Sequence, residues 1–141
     1  MNLNLEETFS IIKPNITKKN RIGEVINFWE RRGLRIKKIK MIKLKREEVI
    51  KFYDEHREKD FFESMVDFMC SWPVVILILE GKNAIKLNRK IIGNTDPFTA
   101  NEDTIRKKFG ESIEANAVHG SDSYESFIRE LSFFSKYFED V

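Results

Sequence analysis

The unbroken run of six apolar residues from Val74 to Leu79 constrains the fold of this chain more than any other segment. A strand with one solvated face would alternate apolar and polar residues, so this run predicts a strand that is covered on both faces. It is also far too short to cross a bilayer as a helix. With 141 residues, the chain has the length of one layered domain, which we expect to span 1–141.

Apolar periodicity predicts further strands and helices around this run. Alternation in Thr8–Lys13 predicts a strand that ends at Pro14. Leu34–Leu44 predicts a longer strand, in which the apolar parity changes between Ile36 and Ile39, as a β-bulge would allow. Helical spacing marks segments that begin near Ile22, Val49, Phe61, Ala84 and Tyr124. This order predicts an α+β sandwich, in which helices pack on one sheet.

Two connections also have specific signals. Thr95–Asp103 is polar and predicts a loop with a turn at Asp96-Pro97. Asp122 and Glu125 have the spacing of a capping pair, so we expect Asp122 to begin the last helix.

Charge and cysteine content limit the class of protein. The net charge is +2, but 13 Lys and Arg against two acids lie between Lys13 and Arg46. Such a block can bind nucleic acid or phosphates, although bases that alternate with apolar residues are more often solvated faces. A single cysteine, Cys70, excludes an internal disulfide and suits a reducing compartment. Met1–Glu7 contains two acids and no base, unlike a secretory or transit peptide, so we expect a soluble cytoplasmic protein.

The segment Asn116–Asp122 is the strongest candidate for chemistry. A short strand would deliver His119 to a turn, and Gly120 would permit backbone that a Cβ would forbid. A neutral imidazole, which titrates near pH ~6.5, can accept a phosphoryl group directly. The alternative is a histidine that only supports the turn through hydrogen bonds.

Several other site types are excluded by motif. The six glycines lack the spacing of Walker or dinucleotide-binding loops, and one cysteine with two histidines cannot form a structural zinc site. No Gly-x-Ser-x-Gly elbow is present. Bound phosphates would therefore need side chains such as Lys13, Arg89 and Arg106. The spacing of these residues in the sequence does not show whether they lie close together in the fold.

Four motifs together resemble the nucleoside diphosphate kinase family in its short bacterial form. They are Thr8-Phe9-Ser10-Ile11-Ile12-Lys13-Pro14, Phe61-Phe62, Thr104-Ile105-Arg106 and Asn116–Asp122, within a likeness that runs from Thr8 to Ser135. The resemblance implies a ferredoxin-like βαββαβ sandwich with a four-stranded antiparallel sheet covered by helices. It also implies a ping-pong transfer of the γ-phosphate from a nucleoside triphosphate, mainly ATP, to nucleoside diphosphates.

The same resemblance implies roles for individual residues. His119 would become phosphohistidine, and Glu130, held by Ser121, would orient its ring. The phosphates would be contacted by Lys13, Arg89, Arg106, Thr95 and Tyr53, and the sugar hydroxyls by Asn116 and Lys13. Phe61 would stack on the base, with Val118 or Ile113 behind it. Mg²⁺ would be carried on the nucleotide phosphates, with no protein ligands of its own. Family members of this length form homo-oligomers, either tetramers or hexamers.

The chain departs from the family pattern at three places. Lys59-Asp60 stands where Arg-Pro is usual, and we expect Asp60 to cap the helix that follows, with Glu63 completing the box. Trp72 replaces a glycine, and its apolar surface suggests a subunit contact. Glu102-Asp103 replaces Pro-Gly, which leaves the stiffness of the preceding loop open.

Two other functions fit parts of the sequence. A non-catalytic nucleic-acid-binding module of ferredoxin-like fold would use the basic block and aromatic residues, but it would leave His119 idle. A histidine-phosphorelay carrier would use the histidine, but that class consists of helical bundles. We therefore favour the kinase, with no membrane partner and no obligatory nucleic acid.

Overall fold

A computed structural model describes residues 5–139 of the chain. The strands are β1 (Leu5–Ile12), β2 (Arg35–Ile42), β3 (Val74–Lys82) and β4 (Val118–Gly120). The α-helices are α1 (Pro14–Thr17), α2 (Ile22–Arg31), α3 (Arg46–Phe52), α4 (Phe62–Cys70), α5 (Ala84–Ile92), α6 (Ile105–Phe109) and α7 (Tyr124–Phe134). Short 3-10 turns cover Asp54–His56, Pro97–Thr99 and Ser135–Phe138. The predicted strands and helices are thus confirmed, with shifts at their ends.

The four strands form one antiparallel sheet in the order β2-β3-β1-β4. The units β1–α2–β2 and β3–α5–β4 give the βαββαβ order of a ferredoxin-like fold, with α3 and α4 between β2 and β3. The register of β2 against β3 shifts between Ile36 and Lys38, which confirms the predicted bulge. The short β4 pairs with β1 so that His119 lies opposite Ile11.

The sheet separates two hydrophobic cores. Side chains of β3 alternate between them, with Val74, Ile76 and Ile78 in one core and Val75, Leu77 and Leu79 in the other. The first core also contains residues of α3, α4 and α7, and the second contains residues of α2, α5 and α6. The prediction that the Val74–Leu79 strand is covered on both faces is therefore confirmed. Within residues 5–139, no helix has the length and apolar character needed to cross a membrane.

Both predicted side-chain caps are wrong, because each helix begins one residue later than the sequence suggested. The hydroxyl of Ser123, rather than Asp122, accepts the backbone N–H of Ser126 at 3.0 Å and caps α7. The N-cap of α4 is Phe61, and no side chain caps that helix end. Asp60 therefore does not cap α4.

Glu63 likewise does not complete a capping box. Its carboxylate instead accepts a hydrogen bond from Arg46 of α3 at 2.5 Å. This contact joins α3 to α4.

Candidate active site

A strained turn leads into the strand that carries His119. Ala117 has φ +80°, a region that disfavours side chains, and the N–H of Val118 donates to the carbonyl of Asn116 at 3.0 Å. This two-residue closure is a γ-turn, which non-glycine residues adopt only when the surroundings enforce it. The enforcing contact is visible, since Lys13 N–H donates to the Ala117 carbonyl at 2.8 Å. The turn thereby fixes the start of β4 beside the end of β1.

One nitrogen of the His119 ring faces a buried carboxylate. Nε2 lies 3.0 Å from Oε1 of Glu130, a close contact that is not a well-aligned hydrogen bond. The same oxygen accepts the hydroxyl of Ser121 at 2.6 Å. A carboxylate in this position favours the proton on Nε2 and leaves the lone pair on Nδ1. Ser121, Glu130 and His119 are therefore together, as the resemblance implied.

Aromatic rings pack against the imidazole. The Phe52 ring meets it edge to face with 4.9 Å between centroids, and Phe9 lies at 6.4 Å. The side chain of His119 keeps 20% of its surface exposed. The ring is thus held on one side and open to a ligand on the other. Phe52 could not be predicted as a site residue from the sequence, because an apolar residue at a helix end has no special signal.

Three basic side chains converge on the strand of the histidine. Lys13 Nζ donates to Oδ1 of Asn116 at 2.8 Å. Arg106 donates to the Val118 carbonyl at 2.9 Å and Arg89 to the Gly120 carbonyl at 3.2 Å. The groups that accept these three hydrogen bonds belong to residues 116, 118 and 120. The three cations therefore lie on either side of position 119.

Gly120 is required at its position by a close approach of α5. A Cβ there would lie 2.5 Å from Cδ1 of Ile92 and 2.9 Å from Nδ2 of Asn88. The glycine is therefore explained by the space that Ile92 and Asn88 leave. The predicted reason, a backbone conformation that a Cβ would forbid, is wrong, because Gly120 does not have a positive φ.

Burial and mutual repulsion perturb these cations. Burial, with the positive charge of Arg106 nearby, lowers the pKa of Lys13 to about 7. Burial, with Arg89 nearby, lowers the pKa of Arg106 to about 10. Positive charges held together in this way favour an anionic ligand, which would relieve both penalties.

Besides Nε2 of His119, two buried polar atoms of the site lack hydrogen-bond partners among the described residues. They are the hydroxyl of Tyr53 and Nε of Arg106. Burial, followed by the negative charge of Glu130, raises the pKa of Tyr53, so its hydroxyl stays protonated. Buried polar groups without partners are uncommon in folded proteins. These two donors fit an oxygen-rich ligand.

Two loops form the outer part of the site. Asn116 donates to the carbonyl of Thr95 at 3.0 Å, which joins the 95–104 loop to the histidine segment. That loop also contains Asp103, with φ +64° and its carboxylate 2.9 Å from Arg31. The contact with Arg31 connects the loop to α2, although Glu102-Asp103 stands here in place of the Pro-Gly pair that is usual in the resembled family. Residues of this loop line a cavity of about 730 Å³. The lining includes Arg89 and Thr95 but not His119.

An exposed aromatic ring lies at the beginning of α4. Phe61 is 49% exposed, and Ile113 is 62% exposed on the loop before β4. The Ser64 hydroxyl donates to Glu114 at 2.7 Å, which joins α4 to that loop. Val118 is fully buried in the second core, so the suggestion that it lies behind a stacked base is wrong. Ile113 remains as the candidate for that position.

Comparison with known proteins supports one family. The family model for nucleoside diphosphate kinase matches residues 6–139. The chain is 52% identical over 130 residues to the nucleoside diphosphate kinase of a Nitratiruptor species, covering 92% of this chain and 95% of that protein. It is 50% identical over 137 residues to that of Chlamydia pneumoniae, covering 97% and 95% respectively.

Solved structures show the same likeness. The Aquifex aeolicus nucleoside diphosphate kinase superposes with a TM-score of 0.87 at 40% identity, covering 92% of this chain and 94% of that one. The Halobacterium salinarum enzyme in complex with CDP gives 0.88 at 33% identity, covering 92% and 86%. The chain therefore belongs to the nucleoside diphosphate kinase family, enzymes that transfer the γ-phosphate of a nucleoside triphosphate to a nucleoside diphosphate.

Proposed function

We propose that Nδ1 of His119 is the nucleophile of this transfer. The observation that carries the proposal is the contact of Nε2 with Glu130, which leaves the Nδ1 lone pair available. Nδ1 attacks the γ-phosphorus of the triphosphate, and the bond to the β-phosphate oxygen breaks, so that a nucleoside diphosphate leaves. A terminal phosphate oxygen of a second diphosphate then attacks the phosphohistidine and restores the imidazole.

Lys13, Arg89 and Arg106 neutralise the phosphates in this proposal. Phosphoryl transfer needs positioned positive charge more than covalent assistance, and all three cations are anchored to the histidine segment. The hydroxyls of Thr95 and Tyr53 add hydrogen bonds to phosphate oxygens. For Tyr53 this supplies the partner that its buried hydroxyl otherwise lacks.

The nucleoside occupies the outer loops in this proposal. Phe61 stacks on the base with Ile113 behind it, and Asn116 and Lys13 contact the sugar hydroxyls. The exposure of both apolar side chains supports this assignment, as does the CDP complex of the Halobacterium salinarum relative. Stacking accepts every base, because each has a π-face.

Mg²⁺ enters this site as part of the nucleotide substrate. In the described part of the chain, no group of three or more His, Cys, Asp or Glu is placed to hold a metal ion. Mg²⁺ keeps several waters and binds readily through phosphate oxygens, so the donor set fits an ion carried on the phosphates.

We infer that the chain forms a homo-oligomer, a tetramer or hexamer, from a single domain spanning 1–141. Support comes from β2, an edge strand on which Ile39 is 42% and Met41 50% exposed, and from Trp72, which is 45% exposed. Bare sheet edges with apolar side chains are sites of association. The mass in solution tests this inference. The free thiol of Cys70 suits the reducing cytoplasm, where we place the protein.

The nucleic-acid-binding alternative is not favoured, because acidic side chains neutralise much of the basic block. Seven of its bases form ion pairs: Lys19, Arg21, Arg31, Arg32, Arg35, Lys37 and Arg46. Lys13 is buried against Asn116. The block is therefore mostly a set of paired surface charges.

A transfer assay with γ-labelled ATP tests the proposed function. The protein should take up label and pass it to a second nucleoside diphosphate, whereas His119→Ala should lose nearly all transfer. His56→Ala is the matched control, since His56 is the other histidine of the chain, and it should keep transfer. A nucleic-acid module would take up no label, and a phosphorelay carrier would not pass it to a nucleotide.

A further inference from the structure

We propose that Arg129 is a positioning residue for His119. It holds the end of α3, which forms one wall around the imidazole. The inference rests on the proposed role of His119 as nucleophile, and it assigns a function to an exposed side chain that touches neither the histidine nor the phosphate-binding cations.

The guanidinium of Arg129 binds the carbonyl groups that end α3. One terminal nitrogen donates to the carbonyl of Lys51 at 2.9 Å, and both terminal nitrogens lie 3.3 Å from the carbonyl of Phe52. Carbonyls in the last turn of a helix have no partner within the helix. The planar fork of arginine can bind two neighbouring oxygens together, which a lysine ammonium group does less well.

The position of the guanidinium is itself supported within α7. Its central carbon lies 5.1 Å from the centroid of the Phe133 ring, one helical turn further on. Cation–π contact of this kind restricts the long side chain to the conformation that reaches α3. Arg129 is therefore a fixed connection between α7 and α3, unlike a free surface charge.

The held segment contacts the catalytic ring. Phe52 carries one of the bound carbonyls, and its ring packs edge to face on the imidazole at 4.9 Å. Tyr53, the next residue, packs edge to face on Phe52 with 4.8 Å between centroids. Glu130, the neighbour of Arg129 on α7, contacts Nε2 of His119. Two adjacent residues of α7 thus act on the imidazole. Glu130 contacts its Nε2 atom, and Arg129 holds the segment whose Phe52 ring packs against it.

Loss of Arg129 should therefore slow the chemical step more than it weakens nucleotide binding. The last turn of α3 would lose its hold, and the imidazole could turn away from the orientation that Glu130 favours. Displacement of a reacting group by about 1 Å can cost up to about 100-fold in rate. Lys13, Arg89 and Arg106 are anchored to Asn116, Gly120 and Val118 respectively and would stay in place.

The test is single-turnover phosphorylation over a range of ATP concentrations up to saturation, measured by rapid quench for the wild type, R129A, R129K and R46A. Arg46 is the matched control, because it is also an exposed arginine that ties α3 to another helix, through Glu63 and Asp67 of α4. We expect R129A to lower the rate constant about 10-fold with little change in the KM for ATP. R129K should recover part of the rate, and R46A should keep the wild-type rate.

A ring-nitrogen NMR spectrum of His119 supplies a readout that a merely structural role would not move. We expect R129A to change the Nε2 and Nδ1 signals, and R46A to leave them unchanged. A wild-type rate and spectrum in R129A, or equal slowing by R46A, would overturn the inference while the phosphohistidine assignment stands. If R129A is too unstable to purify, the same comparison is made with R129K, which should be slower than the wild type. Failure of the wild type to phosphorylate His119 would overturn both proposals.

Discussion

Oε1 of Glu130 lies 3.0 Å from Nε2 of His119, and the same oxygen accepts the Ser121 hydroxyl at 2.6 Å. We expect Glu130→Gln to slow phosphorylation of His119 about 10-fold to 100-fold, by analogy with the loss of carboxylates that orient metal-bound imidazoles. The reason is that an amide oxygen accepts the Nε2 proton more weakly than a carboxylate and does not offset positive charge that develops on the ring. Ser121→Ala should have a smaller effect, since the carboxylate remains. A Glu130→Gln protein with the wild-type rate constant would show that the contact does not control the ring.

The lowered pKa of Lys13 predicts that nucleotide binding weakens with rising pH. Burial places the pKa of the Lys13 ammonium group at about 7, so below that pH the cation is already present for the phosphates. Above pH 7 a proton must be taken up when the nucleotide binds, because the phosphates stabilise the charged form. The Kd for ADP should then rise, approaching about tenfold per pH unit.

Calorimetry of ADP binding between pH 6 and pH 9 measures this effect through both affinity and proton uptake. Lys13→Met is the control. This variant should bind ADP weakly, with a Kd that no longer rises with pH. A flat Kd in the wild-type protein across this range would contradict the link between Lys13 and the phosphates.

The sheet and its covering helices follow from local patterns, whereas the convergence of the site does not. The run Val74–Leu79 and the parity change between Ile36 and Ile39 are visible in the chain, and both predictions are confirmed. Arg89 and Arg106 meet near His119 only because β4 pairs with β1 after the γ-turn at Ala117. Such pairing depends on contacts between residues about 100 positions apart, which periodicity does not contain.

Helix starts show the other limit of sequence reasoning. Asp60 and Asp122 both have good capping chemistry, but the side-chain oxygen must lie at the N-cap itself. Each residue lies one position too early, since α4 starts after Phe61 and α7 after Ser123. Arg129 was missed because its partners are backbone carbonyls of α3, which no residue type marks.

A pair of substitutions tests the observed helix caps. Ser123→Ala should cost about 0.5–2 kcal/mol of stability, because it removes the acceptor for the Ser126 N–H. Asp60→Ala should change the free energy of unfolding by less than about 0.5 kcal/mol, as an exposed residue without a cap contact. Urea unfolding measures both. A larger loss for Asp60→Ala than for Ser123→Ala would contradict the structure.

The exposed ring of Phe61 predicts that its removal weakens the binding of nucleotides with different bases by similar amounts. Phe61→Ala should weaken the binding of ADP, GDP, CDP and UDP by about 1–3 kcal/mol each, because stacking reads no base edge. Leu5→Ala is a suitable control, since that side chain is similarly exposed at the start of β1, and it should leave nucleotide binding unchanged. Loss confined to one base would instead indicate a hydrogen-bonded base site.

Locating the phosphoryl group on the protein after brief exposure to ATP tests whether Nδ1 of His119 is the nucleophile. Mass spectrometry identifies the residue, and phosphorus–nitrogen NMR identifies the ring atom. The account predicts an acid-labile, base-stable phosphoryl group on Nδ1 of His119, which disappears when a second nucleoside diphosphate is added and reappears as its triphosphate. A phosphoryl group on Nε2 of His119, on His56 or on a serine, or one that does not pass to the added diphosphate, would contradict it.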